Sequence, residues 1–145
     1  MLVKKEKIFD NIVAVSGTKK EAIRTISRLC AKQTMLDATQ LEEAFWKREE
    51  WDSTGCGEGI AIPHAIIKEI DEVQLFIVRF RYPIEWESFD DKKVDIAFAI
   101  IAPEEKGQEK YLVFARKLVD EKFIADFRNC RSTEAVYQYV KNELE

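Results

Sequence analysis

The chain of 145 residues has one histidine, His64, and its neighbours suggest a reason for it. Imidazole is the one side chain that offers a neutral, nucleophilic nitrogen in quantity near pH 7. His64 directly follows Pro63, which fixes φ and has no N–H for a ladder, so the preceding run Ile60–Ala61–Ile62 is expected to end there as a strand. In α/β sheets, sites gather at strand ends. Upstream, the loop Ser53–Thr54–Gly55–Cys56–Gly57–Glu58–Gly59 holds three glycines in five residues. Such turns can aim backbone N–H groups at an anion. Ser53 and Thr54 would add hydroxyl donors, and Gly59 closes the loop beside the apolar run. Arg48 falls on the inward stripe of the helix before the loop. A planar guanidinium there suits bidentate contact with phosphate oxygens. The competing reading is an arginine at a helix end, favoured by the macrodipole. Taken together, Arg48, Ser53, Thr54, Gly59 and His64 read as a phosphate-binding set with no metal-ligand cluster.

Several helices and strands must hold that set in place. Ile8 to Val15 reads as a first strand, broken by Ser16–Gly17–Thr18. Thr18 with Glu21 forms a capping box ahead of a helix whose inner face carries Ala22, Ile23, Ile26, Leu29 and Cys30. A second box, Thr39 with Glu42, is expected to open a helix with Leu41, Ala44 and Phe45 inward. Leu75 to Phe80 and Val94 to Ile101 are near-continuous apolar runs, as in strands covered on both faces. The last third reads as helical, with stripes Tyr111, Leu112, Ala115, Leu118 and Ala135, Val136, Tyr139, Val140. The expected fold is α/β: a three-layer sandwich, with a central mixed sheet of about five strands and helices on both faces, in one domain over residues 1–145.

Composition excludes some classes. With 46% hydrophobic and 34% charged residues the chain is ordinary for a globular protein, and its formal charge of −4 argues against a nucleic-acid partner. Cys30, Cys56 and Cys130 are far apart and form no CxxC pair, so neither a zinc site nor a disulfide framework is indicated and a reducing compartment is expected. No run approaches the roughly 18 apolar residues of a spanning helix, and no signal peptide is visible, so a cytoplasmic protein without membrane insertion is expected. A cysteine nucleophile at Cys56 paired with His64 is the weaker enzymatic alternative, because no third orienting residue stands out.

The stretch Arg48–Glu49 through Ser53–Thr54–Gly55–Cys56–Gly57 to Gly59–Ile60–Ala61–Ile62–Pro63–His64 resembles the signature of the enzyme IIA domains of the fructose–mannitol class. These belong to the phosphoenolpyruvate-dependent sugar phosphotransferase system, and the class includes nitrogen-regulatory relatives. The block GIAIPH carries most of the likeness. Pro83–Ile84–Glu85–Trp86, the segment from Asp90 to Val94, and the run from Ile96 to Pro103 extend it over nearly the whole chain. The resemblance implies a phosphotransferase component that needs no cofactor. His64 would take a phosphoryl group from the histidine-containing phosphocarrier protein and pass it to a IIB domain. The group would then reach a sugar at a membrane IIC permease. It implies that Arg48 stands beside that group. An alternative within the same family is a regulatory protein that signals through its phosphorylation state. One departure stands out: where the family has a second histidine before a leucine, this chain has Tyr111 before Leu112. Tyr111 is thus either a phenol donating to a phosphoryl oxygen or a core residue on its own stripe. Trp86, Phe89 and Ile66 are candidate rim residues for partners, and Glu49, Glu50, Asp52 and Glu58 either orient the imidazole or solvate the loop, solvation being the favoured reading.

Overall fold

A computed structural model describes residues 3–103 and 115–145. A short 3-10 turn, Lys5–Lys7, leads into β1 (Ile8–Ile12). Then follow α1 (Lys19–Thr34), α2 (Ala38–Trp51), β2 (Gly55–Gly57), β3 (Ile60–Ala61), β4 (His64–Ile66), β5 (Gln74–Ile84) and β6 (Val94–Ala102). Residues 115–118 are helical, and α3 (Glu121–Arg128) and α4 (Thr133–Leu144) follow.

The sheet is mixed, in the order β1-β5-β6-β3-β2, with β4 also on β6. β5 and β6 run antiparallel, as do β2 and β3; β1 is parallel to β5, and both β3 and β4 are parallel to β6. β3 and β4 are therefore two pieces of one row beside β6, Ile60 opposite Ile96 and His64 opposite Ile100.

Alternation along the two long strands sorts the core into two layers. Phe76, Val78, Ala97, Ala99 and Ile101 face α1 and α2, where Ile23, Ile26, Leu41 and Phe45 meet them. Leu75, Ile77, Ile96, Phe98 and Ile100 face the other way, toward Phe123, Phe127, Val136 and Val140 of α3 and α4. Phe98 packs edge-on against Phe127 with ring centroids 5.2 Å apart. Helices thus cover both faces of the sheet, in the three-layer arrangement that the apolar runs implied. Almost every residue of β6 is buried.

Local signals hold in part. Thr18 caps α1, its hydroxyl accepting from the Glu21 N–H at 3.3 Å. The second helix starts earlier than the Thr39–Glu42 box suggests. Asp37 is its N-cap, accepting from Gln40 N–H at 3.1 Å, because a carboxylate two residues upstream meets the free amides first. β1 stops at Ile12 rather than Val15. β5 continues past Phe80 through Pro83; β1 pairs no further than Phe80, so the missing Pro83 N–H costs the ladder nothing.

Candidate functional site

Pro63 interrupts its row without ending it. β3 stops at Ala61, and His64 opens β4 instead of following a finished strand. The break is bridged from β6, since the Ile100 N–H donates to the Pro63 carbonyl at 2.9 Å and the Ile67 N–H to the Ala102 carbonyl at 2.8 Å. The imidazole is therefore mounted on the neighbour of the most buried strand.

His64 is half-buried. Its Nδ1 is closed off from solvent with no hydrogen-bond partner among the described residues. Nε2 is not among the buried unpartnered atoms, which leaves it as the nitrogen not closed off. Burial lowers the imidazole pKa below its usual value, and the positive charge of Arg48 lowers it further. The Ile62 backbone and the Glu49 carboxylate pull the other way without reversing the direction. The ring is thereby biased toward its neutral, nucleophilic form.

Arg48 comes from the last turn of α2, which packs against β4. The helix ends at Asp52, whose extended backbone donates its N–H to the Arg48 carbonyl at 3.5 Å. In return, Arg48 Nη1 donates to the Asp52 carbonyl at 2.6 Å. One nitrogen of the guanidinium is thus spent on fixing its orientation. Arg48 is half-buried, not fully inward as its stripe suggested; the buried charge of this turn is Glu49.

Glu49 is the residue that sequence reasoning misplaced. It is 6% exposed rather than solvating the loop. Its carboxylate pairs with Lys19 Nζ at 2.9 Å and accepts from the Thr54 N–H at 3.0 Å, from the Thr54 hydroxyl, and from Trp86 Nε1 at 3.2 Å. Glu50, Asp52 and Glu58 are exposed, as expected of solvating groups.

The remaining candidates divide. Thr54 is buried, its hydroxyl engaged with Glu49 and Trp86 and so turned away from any ligand. Ser53 donates to the Trp86 carbonyl at 3.0 Å and receives Lys19 Nζ and the Gly55 N–H. Both hydroxyls brace the loop. Gly59, at φ +80°, turns the chain between β2 and β3, and its carbonyl accepts from Asp95 and Ile96. His64 lies opposite Ile100, five residues along β6 from Asp95, or about 16 Å at ~3.3 Å per residue. Gly59 is therefore remote from the imidazole, because the β2–β3 hairpin points its turn at the opposite end of the row, whereas Thr54 and Gly55 lie beside Ile62 and Ala61. Tyr111 lies outside the described residues. Trp86, proposed for a rim, is 0% exposed and belongs to the core; Phe89 is 84% exposed and Ile66 half-buried. Burial raises the Cys56 pKa, which keeps it a thiol and works against its use as a nucleophile.

Among the described residues, no group of three or more His, Cys, Asp and Glu is placed to hold a metal ion, and no helix is long and apolar enough to cross a membrane.

A three-layer α/β domain that presents one open imidazole nitrogen beside a braced arginine has the architecture of the phosphotransferase IIA domains. A crystal structure of nitrogen regulatory protein IIA-Ntr from Neisseria meningitidis superposes with a TM-score of 0.81, at 24% identity over 96% of each chain. The mannitol IIA of Escherichia coli does so at 0.78 and 22% identity, over 97% of this chain and 99% of that one. In sequence, the nitrogen regulatory protein of Escherichia coli K12 is 34% identical over 128 residues, covering 85% of this chain and 78% of that protein. The family described as phosphoenolpyruvate-dependent sugar phosphotransferase system, EIIA 2, matches residues 1–143. The chain belongs to this family and is a phosphotransferase-system component of the IIA type.

Proposed function

We propose that this protein is a phosphohistidine carrier: His64 accepts a phosphoryl group from the histidine-containing phosphocarrier protein and hands it to a IIB domain. The observation that carries this reading is the division of labour on one ring, with Nδ1 enclosed and Nε2 open beside Arg48. With the ring proton on Nδ1, the Nε2 lone pair attacks the donor's phosphorus. The new N–P bond forms as the donor's own N–P bond breaks, and the electron pair of that bond returns to the donor. Such in-line transfer asks for position and charge neutralisation and for no acid or base strong enough to split a bond unaided. The free nitrogens of Arg48 answer the charge on the equatorial oxygens. The second transfer is the same reaction with the acceptor as nucleophile.

A solved complex of mannitol IIA with phosphorylated mannitol IIB from Escherichia coli shares the fold, with a TM-score of 0.78 at 21% identity, which supports a IIB acceptor. A regulatory output is the second reading, favoured by the 34% identity to a nitrogen regulatory protein. In that case phosphorylated His64 is a signal, and no sugar is moved. Tyr111, where the family pattern has its second histidine, is proposed to donate to a phosphoryl oxygen; a Tyr111→His variant that transfers no faster than the parent would remove that role.

Incubation with phosphoenolpyruvate, enzyme I and the phosphocarrier protein, read by intact mass, tests the carrier role. One acid-labile phosphoryl group on the parent and none on His64→Ala is the expected result. No group on the parent, with the partners shown active on another IIA domain, refutes it. Addition of a IIB domain then separates transport from signalling.

A further inference from the structure

The buried polar cluster behind the site is a strange thing for this fold to keep. Lys19 and Glu49 come from different helices, their side chains only 9% and 1% exposed. Taking two charges out of water costs several kcal/mol per ion, and apolar residues of similar volume often serve stability as well or better. Every polar contact of the cluster leads to one place. Glu49 holds both the amide and the hydroxyl of Thr54, and Trp86 Nε1 donates to the Glu49 carboxylate and to the Thr54 hydroxyl at 3.2 Å each. Lys19 holds Ser53 Oγ at 3.3 Å. The Thr54 carbonyl, on the far side of that residue, accepts from the Ile62 N–H at 3.0 Å. Ile62 is followed by Pro63, whose fixed φ passes the placement on to His64.

We propose that Glu49 is a positioning residue for phosphoryl transfer, fixing the His64 imidazole through Thr54 and Ile62 while its neighbour Arg48 addresses the phosphoryl oxygens. This inference rests on the carrier reading of His64. The same turn of α2 thus serves the site twice: Arg48 acts on the ring through its charge, and Glu49 reaches inward to the loop that leads to it. Among the described residues, Arg48 and Glu49 are the charged groups that act on the imidazole, in opposite senses. A displacement of about 1 Å at a reacting atom costs on the order of 100-fold in rate, so a loop pinned by several bonds is a functional requirement as well as a structural one.

The test compares two double variants that both remove the buried charges. Lys19→Met/Glu49→Gln keeps an acceptor for the Thr54 amide and for Trp86. Lys19→Met/Glu49→Met fills the same space, leaves the Thr54 amide unpaired and takes one of its two acceptors from Trp86 Nε1. Two readouts apply. Single-turnover phosphorylation by the phosphocarrier protein should fall on the order of 10- to 100-fold in Met/Met relative to Met/Gln, in kcat and not in KM. Because His64 is the one histidine, its imidazole resonances and titration midpoint are read by NMR without any phosphodonor, and they should differ between the two variants. Equal midpoints and equal rates in two folded variants overturn the proposal and leave Glu49 a structural residue. If Met/Met does not fold, Thr54→Val in the Met/Gln background, which removes only the hydroxyl contact, takes its place and must move the imidazole signals. A parent that takes no phosphoryl group defeats the carrier reading, whereas the NMR comparison still decides the positioning.

Discussion

Gly55 lies directly against Ser88: a methyl group at Gly55 would clash with Ser88 Oγ and stand 3.2 Å from its Cα. Ser88 is itself buried, and its hydroxyl has no partner among the described residues. Gly55→Ala should therefore destabilise the domain by about 1–3 kcal/mol through overpacking. Ser88→Ala alone should be neutral or slightly stabilising, since it removes an unsatisfied buried hydroxyl. The double variant should recover part of the loss, because the nearest clashing atom is gone. Urea midpoints of the three variants check this.

Arg48 presents a fork, with one nitrogen already committed to the Asp52 carbonyl. Arg48→Lys keeps a point charge and loses the fork, and transfer should slow by about 10-fold; Arg48→Ala should slow it by about 100-fold or more. The His64 titration midpoint should rise in Arg48→Ala, because the cation that opposes its protonation is absent. Rapid-quench phosphorylation and the imidazole NMR titration read the two effects separately.

The depressed pKa of His64 has a sign that can be checked twice. In the folded chain the ring stays neutral to lower pH than in the unfolded chain. The acid limb of the phosphorylation rate should fall below the ordinary histidine value of about 6.5. Stability should decline as pH drops through that ordinary value toward the folded one, since the unfolded chain binds the proton first. His64→Gln should flatten that part of the stability curve, as measured by thermal melts at pH values on both sides of it.

Two exposed aromatic residues, Trp51 and Phe89, stand on different segments of the fold. Trp51 ends α2 beside Asp52 and is 86% exposed. Phe89 packs on Gly57, at the other end of the β2–β3 ladder, where a methyl group on Gly57 would meet its ring at 2.7 Å. Trp51→Ala should raise KM for the protein phosphodonor several-fold with little change in Tm, as expected of an aromatic anchor in an interface. Phe89→Ala should affect the donor less. Steady-state transfer with each variant tests the ranking.

Sequence pattern carried the layers of this fold because strands buried on both faces are almost continuously apolar, and Val94 to Ile101 could hardly be anything else. It pointed to His64 and Arg48 as candidates because GIAIPH and the arginine before the loop stand on the chain as a linear motif. It failed at Glu49 for a physical reason. A glutamate beside an arginine near a helix end is ordinarily solvated, and its burial depends on Lys19, thirty positions earlier, and on Trp86, from another segment altogether. A signal was present: Leu41, Phe45 and Glu49 are spaced four apart, so a charge stood on the same inward stripe as two core residues. The glycine-rich turn misled in the opposite way at Gly59. Its composition suggests an anion site, but which end of a hairpin faces the imidazole is decided by the register of Gly55 with Ala61 and Ile60 with Ile96, and register leaves no local mark on composition.

The bonds from β6 on both sides of Pro63 have a further consequence for the proposed relay. A nucleophile fastened by its own strand to the buried strand β6 has no arm to swing. Donor and acceptor must each bring phosphorus to the same stationary nitrogen, and two proteins cannot occupy one point at once. Their complexes with this domain exclude each other, so a surplus of either partner should throttle the relay it serves.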